Sequence, residues 1–434
     1  MGWRCGTTCR SALPMVAPAP KNPLKHLHPS DYLGLARLAT QATVGVASIS
    51  EEVHQNVWST LGVSGGEQAG RTRGVTGLVY KSVRGVTKAV AGSIDALLGR
   101  LIPMFDAIGP ERPSSIEREA VLAALNGVMG DQLQATGNPL ATPMSFRHQG
   151  RVLTAEHLKT LAAPAVNGKI LLLIHGLCMN DLQWTQNLDN SGTATYDHGQ
   201  ALAGSLGYTP VYLRYNSGLH TSQNGRELAA QLEPLLRDWP VPVTELSILA
   251  HSMGGLITRS ALHLASQKGL RWTAHLKNIV FLGTPHHGAP MERAGNWIDV
   301  VLGSTRYSAP FAKIGQLRSA GITDLRYGHV LDVDWQGHDR FRRSPDRRHA
   351  LPLPENVRCY TVAATTAAQR GTLAERMLGD GLVPIPSALG QHPQAKHQLA
   401  FKPEAQRIVY GINHWGLLKA PEVAQQVQQW LAAG

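Results

Sequence analysis

Leu246-Ser247-Ile248-Leu249-Ala250-His251-Ser252-Met253-Gly254-Gly255-Leu256-Ile257 changes its character halfway along. Leu246 to Ala250 is a short apolar run suited to a buried strand. From Leu256 the spacing turns helical, with Ile257, Ala261 and Leu264 or Ala265 on one face. Between the two lies Ala250-His251-Ser252-Met253-Gly254, a nucleophile-elbow pattern with Ala where the first Gly is usual. A turn sharp enough to push Ser252 out at a strand tip needs small flanks, and Ala250 and Gly254 provide them. The following helix aims backbone N–H groups and a positive dipole end at any oxyanion formed there. A pentapeptide of this kind also arises by chance in a Gly- and Ala-rich chain, so its partners decide the matter.

Outward from this stretch, strands and helices alternate. Strands are expected at Lys169 to Ile174, Thr209 to Tyr215, Leu246 to Ala250, Leu276 to Leu282, Val357 to Ala363 and Arg407 to Gly411, after a small hairpin at Met144 to Leu153. This rhythm predicts an α/β domain with a mainly parallel sheet and helices on both faces, whose chemistry sits at the carboxyl ends of the strands. His175-Gly176-Leu177-Cys178 follows the first long strand. The backbone N–H groups of Leu177 and Met253 are the expected oxyanion donors, each worth about 3 kcal/mol in a dry site. His175 is expected to brace that loop. Cys178 competes as a nucleophile, although a single Cys beside a strand tip is more often an inert core residue. Among nineteen histidines, His414 is selected as the base because Asn413-His414-Trp415-Gly416 directly follows the last strand. Gly379-Asp380-Gly381 follows the preceding region and supplies Asp380 as the orienting acid, with Asp324, Asp332 and Asp334 as competitors. Ser252, Asp380 and His414 then stand in the order of an α/β-hydrolase triad.

These motifs, with Gly283-Thr284-Pro285-His286-His287-Gly288, make the chain from about Pro143 onward resemble the lipase and esterase branch of the α/β-hydrolases, including the GPI inositol-deacylase-like serine hydrolases. The resemblance implies an α/β-hydrolase fold and hydrolysis of carboxylic esters, of lipid or other apolar acyl substrates, through an acyl-enzyme. His286 and His287 are read as rim or structural residues. Calcium-containing lipases of similar motif carry an Asp two residues after the catalytic His, where this chain has Gly416. No metal and no cofactor is therefore expected. Residues 289–354 interrupt the strand–helix rhythm, as a cap insertion would. Trp297, Ile298, Val301 and Leu302 suggest an apolar helix there, and Arg340, Arg342, Arg343, Arg347 and Arg348 an exposed basic loop. By analogy of fold the cap shapes an acyl pocket and gates water, with a purely structural elaboration as the alternative.

The rest of the chain divides into a Pro- and Ala-rich N-terminus, 1–30, expected to be disordered, and a helical extension, 31–138, ahead of a catalytic domain at 139–434. Helices are expected over Asp31 to about Thr60, Val75 to Leu101 and Ser115 to Leu133, with a glycine-rich break at 62–74. Beside the apolar stripe of Val75 to Leu101 stand Lys81, Arg84 and Lys88, which fits either a contact with an anionic membrane surface or a solvated face on a packed helix. The net charge of +11 comes with no nucleic-acid motif, so nucleic acid is not an expected partner. Four cysteines make no disulfide framework, and no secretory signal or spanning segment is apparent, which suggests a cytoplasmic, or peripheral-membrane, protein. Two rivals to hydrolysis remain: acyl transfer with the same triad, and a membrane- or partner-binding protein with a vestigial hydrolase domain. The sequence leaves the oligomeric state open.

Overall fold

The computed structural model describes residues 28, 30–40, 81–82, 114–163, 165–188, 194–289, 318–340, 345–370 and 379–433. The expected helix over Val75 to Leu101 and the apolar cap segment Trp297 to Leu302 lie outside them, except for exposed helical residues Lys81 and Ser82.

Eight strands form one sheet: β1 (Ser145–His148), β2 (Arg151–Val152), β3 (Lys169–Ile174), β4 (Thr209–Arg214), β5 (Glu245–His251), β6 (Leu276–Leu282), β7 (Arg358–Thr365) and β8 (Gln406–Tyr410). Their order across the sheet is β2-β1-β4-β3-β5-β6-β7-β8. From β4 to β8 every pairing is parallel, whereas β1 runs antiparallel to both β2 and β4. This is the α/β-hydrolase arrangement. Alternate side chains explain why it is covered twice. In β3, Ile170, Leu172 and Ile174 face one core with Ile248 and Ala250 of β5, while Leu171, Leu173 and Leu249 face the other. The first core is closed by α3 (Thr221–Arg237) and α4 (Met253–Lys268) through Leu228, Leu232, Leu256 and Ile257. The second is closed by α2 (His198–Leu206) and α5 (Pro421–Ala432) through Leu202, Val423, Val427 and Leu431. Each such aliphatic side chain contributes about 1.5–3 kcal/mol on leaving water.

The helix expected at Ser115 to Leu133 is α1 (Ile116–Ala135), and Ser115 caps it by accepting the N–H of Arg118. Its apolar residues Ala124 and Val128 join the first core and Leu125 and Leu133 a smaller cluster with Leu140, and polar contacts and close approach to the sheet domain add to this. Gly127 packs so tightly on Cys178 that a Cβ there would lie 2.2 Å from Sγ. Asn216 Nδ2 donates to Gly130 O at 2.9 Å, and Ser319 Oγ to Gly127 O at 2.6 Å. Glu119 and Asp181 both accept from the buried guanidinium of Arg214 at the end of β4. The helical residues 30–40 are tied on in turn, with Arg118 donating twice to Asp31 at 2.6 and 2.7 Å.

The basic run expected to be an exposed loop is not uniform. Arg347 is exposed, but Arg340 pairs with Asp131 of α1 at 2.5 Å and Arg348 is buried. Arg348 finds backbone acceptors in the interior, which a count of charges in sequence does not reveal. Arg342 and Arg343 lie outside the described residues.

Arg214 is the charge on which α1 rests. Replacing it by Met leaves Glu119 with Arg118 at 3.2 Å and Asp181 with Arg147 at 3.9 Å as their remaining charge partners, and the expected cost is up to about 3–5 kcal/mol in urea unfolding of the full chain. Arg226→Met removes an exposed ion pair to Asp332 and should cost less than about 1 kcal/mol. Equal effects would mean that the Arg214 cluster does not carry the docking of α1.

Candidate active site

Ser252 sits between the last residue of β5 and the first of α4, at φ 55° and ψ −126°. A non-glycine residue held there stores about 1–3 kcal/mol of strain. Its N–H is anchored to Leu282 O of β6 at 2.8 Å, and its C=O accepts from Gly255 N–H at 3.1 Å. The turn fits because Gly254 lies against the end of β3, where a Cβ would come within 2.5 Å of Ile174 O and 2.7 Å of His175 O. Gly176 has the same role across the gap, since a Cβ there would lie 2.9 Å from the Ser252 Cβ. The parallel register that sets Ile174 beside Ala250 therefore brings the 175–178 loop against the serine.

His414 opens a 3₁₀ turn, His414–Leu418, capped by Asn413, whose Oδ1 accepts the Gly416 N–H at 2.8 Å. Its Nδ1–H donates to Asp380 Oδ2 at 2.6 Å, and its backbone N–H donates to Asp380 O at 3.0 Å. Asp380 Oδ1 accepts from the N–H groups of Leu382 (3.0 Å) and Val383 (2.8 Å), so the carboxylate is fixed on both oxygens. Gly379 and Gly381, at φ 52° and 94°, form the loop that turns it inward. With Nδ1 committed to Asp380, the imidazole keeps Nε2 as its free lone pair. Ser252 Oγ makes no hydrogen bond to a described residue. A serine–imidazole bond that tightens only when substrate is bound is common in empty sites.

The backbone N–H groups of Leu177 and Met253 donate to nothing among the described residues, although both residues are buried. In a dry site, two unpaired donors beside a strained serine are a ready cradle for an oxyanion. The loop that presents Leu177 is held on both sides. Cys178 N–H donates to Ser217 Oγ at 3.0 Å, and Tyr215 stacks on the His175 ring at 4.1 Å while its OH donates to His175 O at 2.7 Å. Cys178 itself is buried, and burial pushes its thiol up to about 12. That environment withholds the thiolate.

The competing acids are engaged elsewhere. Asp324 accepts from His220 Nδ1 at 3.0 Å and from Thr221 N–H at 2.8 Å. Asp332 pairs with Arg226, and Asp334 accepts the N–H groups of Leu331 and His349. Sequence reasoning missed two supports of the catalytic loop. His251, beside the serine, donates from Nε2 to His414 O at 3.2 Å, and its ring lies 4.6 Å from the His414 ring. His198 donates from Nε2 to Leu417 O at 3.1 Å. Burial holds His251 well below the usual imidazole value and His198 at about 4. The base thus stands among neutral rings. The histidine count in the sequence carried no sign of which ones fold together.

The chain matches a domain family described as of unknown function, DUF7379, over residues 139–325. No curated protein sequence is significantly similar to it. Among solved structures it is similar to the mature lipase BlEst2 of Bacillus licheniformis, at 19% identity and a TM-score of 0.37, covering 62% of this chain and 94% of that one. Lipase 1 from Pelosinus fermentans matches at 12% identity and 0.39, covering 62% and 98%. An esterase of Pyrobaculum calidifontis matches at 11% identity and 0.35, covering 62% and 76%. Likeness at this level bears on architecture only, and the reading of the site rests on its own geometry.

The neutral rings predict an acid sensitivity. Burial depresses His175 to about 3 and His198 to about 4, against an ordinary 6.5. Below pH 6.5 the unfolded chain binds protons that the folded one refuses, so their contribution is complete above 6.5 and is lost as pH falls towards 4 and 3. At about 1.4 kcal/mol per unit for each ring, stability should fall by about 4 kcal/mol between pH 7 and pH 5. Urea midpoints at the two pH values measure this. An unchanged midpoint would mean that both rings are free to protonate in the folded protein.

Proposed function

We propose that the protein is a serine hydrolase of carboxylic esters. In this reading His414 Nε2 takes the Ser252 proton as Oγ attacks the ester carbonyl. The tetrahedral oxyanion is received by the N–H groups of Leu177 and Met253. His414 then protonates the departing alcohol, and water enters by the reverse route to release the acid. Asp380 stays ionised, holding the tautomer and stabilising the imidazolium. The observation that carries the proposal is the 2.6 Å His414–Asp380 bond in a loop that packs, through His251, on the residue preceding a strained Ser252. An inositol-acyl lipid, the substrate type suggested by the GPI inositol-deacylase likeness of the motifs, is the narrower version. Among the described residues no helix is long and apolar enough to cross a membrane.

A fluorophosphonate should label Ser252 alone, and a series of p-nitrophenyl esters of rising chain length should be hydrolysed. Ser252→Ala and His414→Ala are each expected to lower turnover by about 10⁴ to 10⁶, and Asp380→Asn by about 10⁴ with folding preserved. Full activity in Ser252→Ala, or label carried by Cys178, overturns the assignment. A substitution at Asp324 as damaging as one at Ser252 would mean that the acid lies elsewhere.

A further inference from the structure

Behind the catalytic loops, two arginines share the protein interior with almost no acid between them. Arg259 lies on α4, two turns beyond Ser252, and only 8% of its surface is exposed. Arg348 lies on the segment that follows the insertion and is 6% exposed. Both line one small cavity together with His286, His287, His397 and Leu351. Arg259 spends Nη2 on Leu351 O at 2.6 Å, but its Nε–H has no partner. Arg348 spends Nη1 on the carbonyls of His286 and Tyr327 and sets Nη2 3.0 Å from Asp346, while its Nε–H too is unpaired. His286, fully buried, has a partner on neither ring nitrogen, so one N–H is unsatisfied in either tautomer. Among the described residues Asp334 also acts on both arginines, but it is occupied by the N–H groups of Val330, Leu331 and His349.

Buried donors are almost always paired, and buried charges more strictly still. Three unpaired N–H groups around one space therefore call for an acceptor. A metal cation is the wrong occupant. Among the described residues no three His, Cys, Asp or Glu groups stand close enough to hold one, and two guanidinium charges would repel it. The space is about 10 Å³, on the scale of a single water molecule and too small for a tetrahedral oxyanion such as sulfate. A water could accept from two of these donors and donate to the free lone pair of His286, but it brings no charge to set against the guanidiniums. A monatomic anion accepts from several donors at once and places one negative charge between the two arginines. Burial, with repulsion from Arg348, already presses Arg259 down to about 10, a cost that such an anion would relieve.

We propose that the Arg259–Arg348–His286 cavity binds one halide ion, chloride in ordinary media. The ion joins the nucleophile helix, the loop after β6 and the segment that closes the insertion. It takes no part in the chemistry at Ser252, and the proposal does not depend on the esterase reading.

The test uses the full chain in sodium gluconate, with sodium chloride or bromide substituted at constant ionic strength. Thermal unfolding should move upward with the logarithm of halide concentration once binding begins, and sulfate should not replace it. Arg259→Met and Arg348→Lys, each without an N–H at the Nε position, should lose the halide-dependent shift, whereas the exposed Arg347→Gln should keep it. If either cavity variant fails to fold, bromide-grown crystals of the wild-type chain decide. An anomalous peak at the bromine edge between the two Nε atoms supports the site. Equal unfolding temperatures in gluconate and halide together with no bromine peak overturn it, as does a halide shift that survives in both cavity variants. A shift given by sulfate and not by halide also overturns it.

Discussion

Ser252 is held in a backbone conformation that a serine does not choose, and the architecture is arranged to hold it there. The strain of about 1–3 kcal/mol is small beside the burial on either side of it. Ala250, Met253, Leu256 and Ile257 are all fully buried. Because β5 lies between β3 and β6, the turn is clamped from two directions. The Leu282 carbonyl takes its N–H, and the carbonyls at the end of β3 crowd Gly254. A larger residue at 254 could not enter without parting β3 from α4. The geometry of the nucleophile is therefore a property of the central sheet more than of the pentapeptide.

Around that turn the electrostatics are deliberately sparse. One carboxylate, Asp380, accepts from three N–H donors, and burial keeps the rings of His251 and His198 neutral. A second cation near the base would oppose the imidazolium that the proposed reaction requires, so neutral neighbours are the useful ones. Arg259 is buried two turns along α4 from Ser252, Arg348 is buried beside the same cavity, and Arg214 is pinned to acids under α1. Each buried guanidinium is thus tied to acceptors of its own.

Much of this was legible in the sequence because it is local. β3, β5 and β6 are mainly apolar and mostly buried, and their expected limits agree with the strands to within a residue. The elbow was visible because its small residues are adjacent in the chain, and His414 and Asp380 because they follow strand ends. What escaped is what depends on distant pairs. Arg214 meets Glu119 across 95 positions, and Ser319 meets Gly127 across 192. Neither leaves a periodic trace. Arg348 read as surface because it sits in a basic run, yet it donates to carbonyls brought in from residues 286 and 327. The helix at 116–135 was recognisable by its cap. That it serves as part of the wall behind Cys178 was not, because the contact is made by Gly127, a residue with no side chain to announce it.

The position of α1 also bears on how the chain assembles on the ribosome. This helix is made early, but the groups that hold it come late: Cys178, then Arg214 and Asn216, then Ser319, and last Arg340, 209 positions beyond Asp131. At roughly 5–20 residues per second of synthesis, the helix waits on the order of 10 to 40 s for its final partner. Through that interval Leu125 and Leu133 already have Leu38 and Leu140 to pack on, but Ala124 and Val128, which join the core of the sheet in the finished protein, have no lasting cover. The nascent chain is most vulnerable to wrong association between the appearance of α1 and that of Arg340. A chaperone engaging Ala124 and Val128 would be bridging a gap set by topology alone.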